Sequence, residues 1–312
     1  MSEIIQKPNE LIVFTHSDLD ALGCMLNIEH KFPGIEKKFH YTNYANIPEI
    51  VQNIVDYAKE NGNKHMIIAD VSFSDNKEYL QKLYDTGLNI TYIDHHLYPE
   101  GFFDTFPNMK VKWDKTRSAT LLCYEYFNNQ NPLLGRLSAF IDIYDLWQVD
   151  HPVFDASQSL NDYFWEHDIY HLFNKFLDSG YDFPSDYKEV TERIKSECAT
   201  AIAAYEASKC FFRVEKITFA FIEKDWFNHV LIREMKNGQD VVVGISNYGV
   251  VRVRINKDAK ISDEQKTQLR LELAGAANTG HMNSFTYKCD NTTKDDLFKE
   301  AQKLVTLSLK YT

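Results

Sequence analysis

Three short apolar runs in this chain each stop on side chains able to hold a metal ion. Residues 11–15 lead into His16, Asp18 and Asp20, residues 66–69 into Asp70, and Tyr92-Ile93 into Asp94, His95 and His96. Carboxylates and imidazoles with no cysteine among them are hard oxygen and borderline nitrogen donors, suited to manganese, magnesium or zinc. One Asp or His at such a place is commonly a cap or a satisfied polar group, but recurrence at three successive points argues for a metal site. Asp18 and Asp20 are two residues apart, so an extended backbone directs them to opposite sides and lets each face its own ion. Four carboxylates balance two dications, and two dications roughly 3.5–4 Å apart suit the splitting of phosphate esters.

Such residues need a frame that brings separate segments together. Apolar runs rich in Ile and Val, bounded by polar clusters, read as buried strands. Between them, residues 21–30 and 76–86 read as helices, the second closed by Gly87. Another opens at Pro48, with Ile50, Ile54, Tyr57 and Ala58 on one face, and a further strand fits near 38–44. Strand, helix, strand in this rhythm predicts βαβ units and a parallel sheet, which binds ligands outside the carboxyl ends of its strands. Gly23 is small enough to let the backbone sit close to the site. Helices are expected over 120–127 and 134–143, and the aromatic-rich stretch 154–183 reads as a helical pack over the sheet, with a base-stacking platform as the rival reading.

Pro184 opens a charged segment with Val190, Ile194, Cys198 and Ile202 at helical spacing. The remainder reads as strands over 217–222, 240–246, 250–255 and 285–289, with helices over 229–236, 262–277 and 294–309. The expectation is an α/β chain: a parallel-sheet domain over 1–183, a connecting helix over 184–210 and a smaller mixed α/β domain over 211–312.

Composition narrows the function classes. With 44% hydrophobic and 25% charged residues over 312 positions, the chain can bury a sizeable core. No apolar run approaches the roughly 20 residues that span a bilayer, and the N-terminus lacks the apolar core of a secretory signal, so no membrane partner is expected. The cysteines, Cys24, Cys123, Cys198, Cys210 and Cys289, are scattered without a CxxC pair, which suits a reducing, cytoplasmic setting. Lys and Arg total 34 against 45 Asp and Glu, a formal charge of −11, which argues against capture of duplex DNA. A short phosphate-bearing substrate stays compatible, because bound metal supplies local positive charge.

The pattern His16-x-Asp18-x-Asp20 with Gly23, Asp70 after a strand, and Asp94-His95-His96 resembles motifs one to three of the DHH phosphoesterases. Asp145 in Tyr-Asp-Leu-Trp is similar to the fourth, with Asp142 as an alternative. Gly280-His281 is similar to the glycine-rich histidine motif of the DHH-associated domain in RecJ-like nucleases and nano-RNases. The resemblance implies one metal held by His16, Asp18 and Asp70, and another by Asp20, Asp70, His95 and Asp145, most readily manganese, with magnesium an alternative. It implies that Asp94 orients an imidazole and that His96 faces the substrate phosphate. Arg254 falls where the family often has a phosphate-binding arginine; the rival reading is an exposed strand charge, as for Arg252. Arg117, Ser118 and Thr120 sit where relatives place a polar segment near the cleft, and helix capping is the competing role.

The C-terminal motif departs from the pattern. Asn278-Thr279-Gly280-His281 offers fewer glycines than usual, hence fewer places for backbone N–H groups to approach a phosphate. The expected activity is metal-assisted hydrolysis of short oligonucleotides, dinucleotides or nucleotide phosphates. The alternatives are a single-strand-specific exonuclease of the RecJ type and a non-catalytic nucleotide binder. The sequence leaves the oligomeric state open, a homodimer included.

Overall fold

The acid-tipped runs become strands because helices cover both faces of each, which suits a nearly continuous apolar run. A computed structural model describes residues 10–61, 64–208, 211–214, 217–222, 227–246, 250–256, 259–274 and 284–288, with positions 299, 302, 303, 306 and 310. The chain divides into two compact units, one of residues 1–146 and 152–188, the other of 147–151 and 189–312.

The first unit begins with β1 (Glu10–Thr15), α1 (Leu19–Lys31), β2 (Glu36–Tyr41), α2 (Ile47–Asn61), β3 (His65–Ala69), α3 (Lys77–Tyr84), β4 (Asn89–Asp94) and β5 (Lys110–Trp113). All five strands are parallel, in the order β2-β1-β3-β4-β5. Alternate residues of the strands sort into two cores. Ile12, Phe14, Met66, Ile68, Ile90 and Tyr92 pack with Ile50, Ile54 and Leu80 of α2 and α3. Leu11, Val13, Ile67 and Ile93 pack with Cys24 and Ile28 of α1 and with Leu122 and Cys123 of α4 (Ala119–Tyr126). The order in which strands are added reverses between β1 and β3, and the crevice at such a switch point is where open α/β sheets take ligands.

The unit continues through α5 (Pro132–Asp145), α6 (Phe154–Trp165), α7 (Ile169–Asp178) and the start of α8 (Tyr187–Ser208). The aromatics of 154–183 serve largely as packing: Phe173 lies edge-on to Phe39, with Phe154 and Phe176 buried. Strand β5 has no counterpart among the expected elements, because Lys-Val-Lys-Trp is too short and too polar to stand out as an apolar run.

The second unit holds β6 (Phe211–Val214), β7 (Ile217–Ile222), α9 (Phe227–Lys236), β8 (Val241–Ser246), β9 (Val250–Ile255), α10 (Asp263–Ala274) and β10 (Ser284–Lys288). Its mixed sheet runs β10-β9-β8-β7-β6, with only β7 and β8 parallel. Val241, Val243, Val251, Val253, Leu269 and Phe285 form its core. The four-residue β6 likewise goes beyond the expected strands. Gly280 and His281, together with Cys210, Cys289 and most of the helix expected over 294–309, lie outside the described residues.

Candidate metal centre

Each acid reaches the carboxyl edge of the parallel sheet by its own local device. Asp18 is the N-cap of α1; its Oδ1 accepts from the Ala21 amide at 3.0 Å and its Oδ2 lies 2.8 Å from Nδ1 of His16. Asp20 is already inside the first turn. The two carboxylates diverge because a cap and a helical turn direct them differently, not because they alternate along a strand.

Asp20 is fixed from a distant part of the chain. Its oxygens accept from the backbone N–H groups of Ala119 and Thr120, both at 2.8 Å, at the N-terminus of α4. Gly23 makes that approach feasible: a Cβ there would stand 2.1 Å from Thr120 Oγ1 and 2.7 Å from Ile141 Cδ1. Asp70 follows β3 with φ of +59°, a left-handed conformation that Asp tolerates better than most residues.

The donors fall into groups whose ligand atoms lie within 4.8 Å of one another: His16, Asp18 and Asp70; Asp20, His95 and Asp145; and Asp70, Asp94, His95 and His96. His95 Nε2 stands 3.6 Å from Asp20 Oδ2, 3.5 Å from Asp70 Oδ1 and 3.5 Å from Asp145 Oδ2. These separations exceed hydrogen-bond length, so the side chains surround a common point rather than pairing with each other. No hydrogen-bond donor among the described residues reaches Oδ2 of Asp70 or Oδ2 of Asp145. Converging oxygen and imidazole donors with unsatisfied carboxylate oxygens fit a divalent cation.

Neither a family model nor a curated protein matches the chain. Solved structures do. The exonuclease RecJ bound to manganese is similar with a TM-score of 0.61 at 13% identity, over 98% of this chain and 91% of that one. The pGpG-specific phosphodiesterase PggH from Vibrio cholerae gives 0.58 at 11% identity, over 96% and 99%. RecJ from Thermus thermophilus in complex with Mn2+ gives 0.58 at 12% identity, over 98% of this chain and 53% of that longer one. The fold is RecJ-like. At such identities the likeness is one of architecture.

Within this RecJ-like frame the electrostatics are those of crowded anions. Burial, and then the charge of Asp18, pushes Asp20 up to about 7. Burial and the neighbouring carboxylates push Asp70 and Asp145 well above the usual range. Burial, then the adjacent His96, holds His95 down at about 3, leaving its imidazole neutral and able to ligate. Burial also works against ionising Asp94, but the facing His96 and His95 and the Tyr98 hydroxyl outweigh it and hold Asp94 at about 2.

Asp94 Oδ1 lies 2.7 Å from His96 Nδ1, and Tyr98 donates to its other oxygen. His96 Nε2 meets the hydroxyl of Tyr44 at 3.3 Å, and the Tyr44 ring lies 5.0 Å from that of His16. Sequence reasoning missed Tyr44. It is a single aromatic after β2, set by a positive φ of 69° and a local Thr42–Asn46 hydrogen-bond knot, and nothing in its spacing marks it.

The remaining candidates separate. Asp142 Oδ1 accepts from the Ser118 amide at 2.6 Å, whereas Asp145, one turn on, points to His95. Ser118 is fully buried and its hydroxyl caps α4 by accepting from the Leu121 amide, so the capping role accounts for it. Arg117 is exposed, 4.0 Å from Glu125. Arg254 is not an exposed strand charge: it is buried within the second unit, its guanidinium 4.9 Å from the Trp147 ring centre and its Nη1 donating to the Val253 carbonyl.

Proposed function

We propose that the protein is a two-metal phosphoesterase acting on short oligonucleotides, dinucleotides or nucleotide phosphates. The observation that carries this reading is the convergence of Asp20, Asp70 and Asp145 on one nitrogen of His95, with His16, Asp18 and Asp70 grouped beside it. One cation would be held by His16, Asp18 and Asp70, the other by Asp20, Asp70, His95 and Asp145. Bound cations there supply positive charge for the phosphoryl oxygens and lower the pKa of water.

The protein's own groups supply position and protons. The Asp94 carboxylate, 2.7 Å from Nδ1 of His96, fixes the orientation of that ring and so directs Nε2 toward an oxygen of the scissile phosphate. The α4 amides hold Asp20 in place without competing for the substrate. RecJ is an exonuclease and PggH a pGpG phosphodiesterase, and sharing their fold supports nucleic-acid or nucleotide chemistry.

The test is a panel of labelled dinucleotides, short RNA, single-stranded DNA and nucleoside bisphosphates, incubated with manganese. Product from wild type that disappears in Asp70→Ala supports the reading. Full activity in metal-supplemented Asp70→Ala overturns it, and tight retention without product selects the nucleotide binder.

A further inference from the structure

Strand β5 carries Lys110 and Lys112, and the turn after it Lys115 and Arg117, a basic stretch in a chain of formal charge −11. Its last residue, Trp113, stands in register with Asp94 at the carboxyl edge of the sheet. The Trp113 indole N–H donates to the carbonyl oxygen of His96 at 2.7 Å, yet the residue remains 42% exposed. An indole with its polar atom already bonded is fixed in orientation, and Tyr98, its ring centre 6.4 Å away, leaves much of it open to solvent. Val111, on the same face of the strand, is also exposed. Lys112 alternates to the other face of the strand, where it and Arg117 each lie 4.0 Å from Glu125 of α4. No described strand pairs with the outer edge of β5.

We propose that Trp113 is a base-stacking shelf: a nucleobase next to the scissile phosphate stacks on its indole. This rests on the phosphoesterase reading and adds a subsite to it. Aromatic stacking tolerates every base and depends on the π-face, so the shelf gives affinity without sequence preference. Its hydrogen bond to the His96 carbonyl couples base placement to the Asp94–His96 pair and so to the reacting phosphate.

The test is equilibrium dialysis of the full chain with linear diadenosine dinucleotide and two versions in which one or the other base is absent, with calcium in place of manganese to separate binding from cleavage. In wild type, removing one of the two bases weakens binding about tenfold or more, as expected for stacking. In Trp113→Ala that penalty shrinks below about twofold, and in Trp113→Phe, which keeps an aromatic face, much of it survives. A full penalty in Trp113→Ala, no penalty in wild type, or no wild-type binding at millimolar probe overturns the shelf. Manganese-dependent cleavage by wild type is scored separately. Cleavage with an undiminished penalty in Trp113→Ala removes the shelf alone, and the expected penalties without any cleavage remove the phosphoesterase reading alone.

Discussion

The two ends of the parallel sheet handle buried acid in opposite ways. At the amino end, Glu10 receives a hydrogen bond from Tyr57 and lies 3.3 Å from Lys38 and 3.4 Å from Lys64, partners that hold its pKa below the usual range. At the carboxyl end, Asp20, Asp70 and Asp145 face one another and a neutral imidazole, and their pKa values rise. One end is neutralised by the protein's own cations. The other gathers carboxylates and an imidazole that could hold a metal ion.

Four substitutions or conditions sharpen that contrast. The largest effect is expected from Asp70→Asn, which keeps a residue able to adopt the left-handed backbone. Turnover should fall by about 1000-fold or more while the metal-free protein melts higher than wild type, because one crowded acid is gone. A lower melting temperature in EDTA would contradict the crowding.

Gly23→Ala comes next, since the new methyl must separate α1 from α4. A loss of about 1–3 kcal/mol in denaturant unfolding is expected, with weakened metal binding because Asp20 leaves the α4 amides. Unchanged metal affinity would show that those amides do not position Asp20.

A pH series follows. Without metal, Asp20 titrates near 7 when folded against an ordinary value of 3.8, so the folded state binds more protons between those values and stability falls as pH rises through them. Bound cations favour the ionised form, so the melting-temperature gap between manganese-loaded and EDTA-treated protein should widen from about pH 5 to about pH 8. A flat gap would break the comparison. The smallest effects are expected from Glu10→Gln, about 1 kcal/mol of stability lost equally with and without manganese. That loss is opposite in sign to the metal-free effect of Asp70→Asn.

Much of this architecture is legible in the residues alone. Residues 11–15 and 66–69 announce themselves because both faces of their strands are buried, so apolar character is continuous and its end on an acid is conspicuous. Strand β5 does not, since its alternating lysines look like a turn. Asp142 and Asp145 share one helix three residues apart, and they part only in three dimensions, Asp142 accepting from the Ser118 amide and Asp145 facing His95. Ser118 itself suits substrate or cap equally on sequence grounds; in the fold its hydroxyl caps α4. Tyr44 and Trp113 contribute through where a loop and an edge strand place them, which no local pattern encodes.

The bond between Asp20 and the start of α4 joins positions 99 and 100 residues apart. A ribosome that has made the first four strands has produced a sheet whose acids still lack the amides and Asp145 that arrange them. Domains generally fold as they emerge, N-terminal first. The cluster is therefore complete only when α5, which carries Asp145, has been synthesised.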